Sequence, residues 1–198
     1  MIRNQTFALA TAIGAALALG PAADGAVPPC RAAPASPPDR RPPMDPWLLA
    51  LTQFAVLAYA ALGGVFLAFS DFLMRALARS PGGAEAMQSI NREVFRIVFM
   101  ALFLGMVPVS LILAISGWLA APEPARFLLA AGLYLLGCFA VTAMGNVPLN
   151  DRLAGMDAAT PEAQGWWDAV YLPRWTRLNT LRTLACFAAA ATLIGALG

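Results

Sequence analysis

Residues 94–119 read VFRIVFMALFLGMVPVSLILAISGWL, and this stretch decides what kind of fold the chain can have. After Arg96 it holds no ionisable side chain, and it exceeds the roughly 20 residues needed to cross a bilayer as a helix. Pro108 predicts a kink within it. Three further segments read the same way, at 47–69, 127–147 and 181–197. In hydrocarbon the backbone must satisfy its own hydrogen bonds, which a helix does within one segment. The expected fold is therefore all-α: an integral membrane four-helix bundle, up-down, with short cytosolic helices in the first and third links. Gly63, Gly64, Gly132, Gly137 and the alanines of the fourth span mark places where helices can approach closely.

Composition supports this reading. The 198 residues are 60% hydrophobic and 12% charged, with a mean hydropathy of +0.67. A soluble domain carries about 25% charged residues. The net charge of +2 comes without a basic block, so no nucleic-acid partner is expected. There is no His and no Lys, so every basic side chain is Arg. The usual general base and the commonest metal ligand are both missing. With no HExxH and no carboxylate pair inside a span, no metal or cofactor is expected. Cys30, Cys138 and Cys186 form no CxxC, and the last two read as small apolar packing residues.

Outward from the spans, residues 1–26 have the Arg3, apolar run and small residues of a signal peptide. A start at Met44 fits equally well. Residues 27–46 are rich in Pro and Ala and predict a disordered tail. Arg75, Arg79, Arg92 and Arg96 lie in or beside the first link; Arg152, Arg174, Arg177 and Arg182 lie in or beside the third. The second link has only Arg126, beside Glu123. The positive-inside rule places both Arg-rich links in the cytosol and both termini outside. Thr160-Pro161-Glu162 reads as a helix N-terminus, Ser80-Pro81 as a similar one, and Pro173 as a break before the fourth span.

Polar and aromatic residues gather at the cytosolic ends of the spans. Ser70 and Asp71 close the first, Asn91 opens the second, and Asn146 and Asn150 stand one turn apart at the end of the third. Trp167, Tyr171, Trp175, Asn179 and Arg182 recur at helical spacing and form one face if the helix is continuous. Trp166 and Trp167 also suit interfacial anchors. Asp71 and Arg182 are a candidate salt bridge.

Four of these stretches carry a family resemblance. They are Phe69-Ser70-Asp71-Phe72-Leu73-Met74, Met87-Gln88-Ser89-Ile90-Asn91, Asn146-Val147-Pro148-Leu149-Asn150, and Trp175 to Thr183 (WTRLNTLRT). In this order they resemble the anthrone oxygenase-like family from about Pro46 onward. The resemblance implies a four-helix protein of a bacterial inner membrane. It also implies, by analogy with fungal enzymes that oxidise anthrones with molecular oxygen, oxidation of a hydrophobic aromatic without metal or flavin. Two positions depart from the family pattern: Arg75 stands where Pro is usual, and Thr180 where many relatives have His.

On this reading Asp71 is the candidate base, Asn91 and Asn179 are hydrogen-bond donors, and Arg182 is the oxyanion partner. Ser70, Asn146, Asn150 and Trp175 are candidate substrate-binding residues. Binding or transport of a small lipophile, or an accessory role without catalysis, are the alternatives.

Overall fold

The computed structural model describes residues 44–94 and 97–197, all of whose regular elements are helical. The expected signal peptide, the tail up to residue 43, Cys30 and Arg96 lie outside the described residues. Four long helices cross the bundle: α1 (Pro46–Ala78), α3 (Ile97–Ala120), α4 (Pro124–Ala154) and α5 (Pro161–Leu197). A shorter amphipathic helix, α2 (Gly83–Glu93), lies in the first link. Each long helix is apolar and long enough to span a bilayer, so the chain is a multi-pass membrane protein.

Neighbours in sequence are neighbours in space. α1 packs on α3 and α5, α3 on α4, and α4 on α5. The α4 and α5 axes come close where Gly137 meets Ala185, since a Cβ at Gly137 would lie 2.7 Å from that of Ala185. Only a hydrogen at that position permits the contact. Gly117 admits the Phe127 ring in the same way near the opposite end.

Three helices overrun their expected spans, always at the Arg-rich end. α1 continues past residue 69, α4 past 147, and α5 begins at 161 instead of 181. The break expected at Pro173 does not occur. A wide π-helical turn, Trp167–Tyr171, precedes it, and the Leu172 N–H reaches back to the Trp167 carbonyl. The same construction precedes Pro148, where Val147 N–H bonds the Thr142 carbonyl. A proline inside an α-helix forfeits a hydrogen bond and pushes on the preceding turn. A five-residue turn just before it skips that bond and widens the helix. α1 holds a third such turn, Phe69–Leu73, closed from Met74 to Phe69, with Arg75 in the position that Pro148 and Pro173 take. Pro108 sits within α3, which runs unbroken through it.

The chain buries two apolar cores. Leu62, Phe66, Phe103, Leu113, Tyr134 and Leu193 belong to the bundle core. The overrunning ends and α2 enclose the second, around Met74, Met87, Leu153, Trp166, Trp167 and Tyr171. Trp166 and Trp167 therefore form walls of this core, 9% and 2% exposed. Gln88 Nε2 ties α2 down by donating to the carbonyls of Leu153 and Met156, at and just beyond the C-terminus of α4. Such carbonyls have no partner within their own helix. At the other end Thr160 caps α5 as expected, its hydroxyl accepting from Ala163 N–H.

Candidate functional site

A cavity of about 130 Å³ lies where the two cores meet. Phe66 and Phe69 of α1, Phe99, Met100 and Phe103 of α3, and Trp175 of α5 make it aromatic and apolar. Met87, Ile90 and Asn91 of α2 also line it, with Thr142, Val147 and Asn150 from α4 and Asn179 and Arg182 from α5. Val65, also in its lining, and Val147 are partly exposed at the bundle surface, so the cavity borders the lipid side.

Arg182 is its dominant electrostatic feature. The side chain is 5% exposed, and no carboxylate pairs with it among the described residues. Its guanidinium donates to Asn179 Oδ1 at 2.6 Å and Thr142 Oγ1 at 3.2 Å. Its Cζ lies 4.4 Å from the centre of the Phe66 ring and 5.3 Å from that of Trp175. Both distances are those of a cation held against aromatic faces. The buried Nε–H has no acceptor among the described residues. A guanidinium has five N–H donors, and two are used here. A buried charge lacking a partner is costly, and such residues within membrane helices mark functional sites.

Asn179 explains how the arginine is aimed. Its Nδ2 donates to the Phe66 carbonyl at 2.6 Å and to Ser70 Oγ at 2.7 Å, which orients Oδ1 toward Arg182. With both amide hydrogens engaged, Asn179 positions Arg182 and has no donor left for a ligand. The other polar edge of the cavity is a second network. Asn150 Oδ1 accepts from Tyr171 Oη at 2.7 Å and Trp175 Nε1 at 2.9 Å, and Asn91 Nδ2 donates to Tyr171 Oη at 3.3 Å. Two donors converging on Oδ1 fix the Asn150 amide and leave its Nδ2 as a donor at the cavity.

Of the sequence-predicted residues, Asn91, Asn150, Trp175, Asn179 and Arg182 come together at the cavity. Three do not. Asp71 is exposed and pairs at 2.9 Å with Arg75, one turn along the same helix, so the candidate Asp71–Arg182 salt bridge is not formed. Ser70 lies behind Asn179, facing an outer groove with Thr176. Asn146 is 1% exposed and donates to the Trp175 carbonyl, a tie between α4 and α5. Asn146 closes the π turn at Thr142–Asn146 and is buried against α5, while Val147, 38% exposed, reaches the edge of the cavity. Thr142 escaped the sequence reading, although it stands four residues before Asn146. Tyr171 was visible as part of the α5 face, but its role as a bridge between Asn91 and Asn150 was not.

Thr180, where many relatives have His, is exposed and absent from the cavity lining. Its hydroxyl bonds to Ser70 Oγ and the Thr176 carbonyl. The described residues lining the cavity include no His, Cys, Asp or Glu. Among the described residues no three such side chains gather where they could hold a metal ion. The chemistry on offer is a fixed cation, amide donors and aromatic walls, which suits an aromatic bearing an oxyanion.

No curated protein and no solved structure matches this chain. The family description "anthrone oxygenase" matches residues 92–192, just over half of the 198 residues. The match begins at the end of α2 and takes in α3, α4 and most of α5, and with them Thr142, Asn150, Trp175, Asn179 and Arg182. The chain belongs to the anthrone oxygenase family.

Proposed function

We propose that the cavity binds a hydrophobic aromatic as its oxyanion and promotes its oxidation by molecular oxygen at the cytosolic face of a bacterial inner membrane. The observation that carries this reading is Arg182, a buried guanidinium with unused donors, set against two aromatic rings with no counter-ion among the described residues. An anthrone that loses a proton becomes a carbanion whose charge is shared with its carbonyl oxygen. Arg182 stabilises that oxygen, and a low-dielectric wall strengthens the effect. Lowering the acidity barrier of the bound substrate replaces strong general-base help, and the proton leaves to water at the cavity edge. Carbanion and oxygen then join as a peroxide anion, which takes a proton back from water, and the resulting hydroperoxide loses water to leave the new carbonyl. One oxygen atom ends in the product and the other in water.

Asn150 and Asn91 supply further donors, and Trp175 the stacking wall. Asp71 is not assigned a role, because it lies outside. The cytosolic placement rests on the arginines of the first and third links.

The lack of a carboxylate or His in the cavity lining favours one alternative, binding or transport of a small lipophile by the same residues. Oxygen uptake by the purified full chain in nanodiscs, with an anthrone added, separates the two. Uptake equimolar with quinone formation supports oxidation. Saturable binding without uptake supports the alternative, and neither result rejects the cavity as a substrate site.

A further inference from the structure

A second recess lies outside the bundle, along the seam between α4 and α5. Its wide part, about 480 Å³, is framed by Arg152, Trp166 and Arg174. Met144, Gly145 and Leu178 form its far part and are shared with a groove of about 350 Å³ that continues to Leu136. From Arg152 to Leu136 the helix rises about 24 Å, the length of a long acyl chain. Leu136 and Met144 are 72% and 82% exposed, so the groove opens toward the surrounding lipid. Gly145 keeps it open, since a Cβ there would stand 2.9 Å from the Leu178 side chain.

The groove is cationic at one end and apolar along the rest. Arg152 and Arg174 form no ion pair among the described residues. The Arg152 guanidinium is held 4.8 Å from the centre of the Trp166 ring. Trp166 is 9% exposed, and its Nε1–H finds no acceptor among the described residues. Two guanidiniums at the mouth of an apolar channel call for an anionic head on an apolar tail. Basic pockets between membrane helices hold anionic lipid headgroups on this basis.

We propose that this seam binds one anionic phospholipid from the bilayer, its phosphate between Arg152 and Arg174 and an acyl chain along Met144 and Leu178 toward Leu136. A zwitterionic lipid brings its own cation to the two arginines and binds less well. The bound lipid clamps α4 to α5, the helices that carry Thr142, Asn150, Trp175 and Arg182, and so bears on the cavity without touching it.

Native mass spectrometry of the full chain, titrated with phosphatidylglycerol or phosphatidylcholine, tests the proposal. The expected preference for phosphatidylglycerol is about tenfold or more. Arg152→Gln with Arg174→Gln abolishes it, whereas Arg79→Gln with Arg92→Gln, on the same face but outside the groove, preserves it. Gly145→Leu, which fills the groove and keeps both arginines, lowers retention of phosphatidylglycerol. Equal binding of the two lipids overturns the proposal. So does a preference that survives the groove variant or falls equally in the control. Occupancy by inorganic phosphate that excludes the lipid assigns the site to a free anion and also overturns it. If the double variant fails to fold, Gly145→Leu decides: lowered retention supports the proposal and unchanged retention rejects it.

Discussion

Replacing Arg182 by Met separates a functional cation from a structural strut. The variant forfeits two charge-assisted hydrogen bonds, to Asn179 and Thr142, worth about 1.5–3 kcal/mol each. It also forfeits cation–π contacts with Phe66 and Trp175, about 1 kcal/mol each. Against this, a charge that is 5% exposed and unpaired among the described residues is no longer held out of water, which returns several kcal/mol. The Met side chain fills most of the same volume and adds about 1.5–3 kcal/mol of apolar burial. The terms nearly cancel, so stability should stay within about 2 kcal/mol of wild type. Removing one partner of a balanced buried ion pair would instead cost about 3–5 kcal/mol. Binding or turnover of an aromatic oxyanion should fall about 100-fold, as when one oxyanion donor is removed. Thermal unfolding in detergent and a titration followed by oxygen uptake or Trp fluorescence measure both quantities. A loss of stability beyond about 4 kcal/mol, with ligand affinity intact, would refute the reasoning and make Arg182 a packing residue.

Asp71→Asn removes only an exposed ion pair one turn long, so stability should change by less than about 0.5 kcal/mol and turnover not at all. A tenfold loss of turnover would restore Asp71 as the base. Arg75→Pro should cost less than about 1 kcal/mol, because the π turn ahead of it matches those ahead of Pro148 and Pro173, whereas proline inside an ordinary helix costs about 3 kcal/mol. Chemical unfolding of the two proteins compares these values. Thr180→His should leave the rate within about threefold between pH 6 and 8, since the side chain points away from the cavity and an imidazole there titrates without reaching the ligand. A new rate step near pH 6.5 would show that position 180 reaches the site.

Much of this molecule was legible in the sequence because lipid imposes a simple rule. A run such as 97–120 has no choice but to be a helix, and its length and apolar character are properties of the residues alone. The family resemblance rested on short stretches of identical order, and the match over residues 92–192 bears it out. The spacing of Trp175, Asn179 and Arg182 also predicted a shared face, and all three line one cavity.

What the tertiary structure alone decided is which way the polar residues turn. A regular period of 3.6 assigns Asn146 and Asn150 to one face, yet Asn150 lines the cavity while Asn146, which closes the π turn at Thr142–Asn146, is buried and tied to the Trp175 carbonyl of α5. Such turns, with prolines behind them, also carry α5 through Pro173. The second core is equally non-local: Trp166 and Trp167 are buried only because α2 and the ends of α1 and α4 close over them. Composition determined that the chain lives in a membrane. Where the buried Arg182 sits, and that Asp71 does not answer it, depended on contacts between helices distant in sequence.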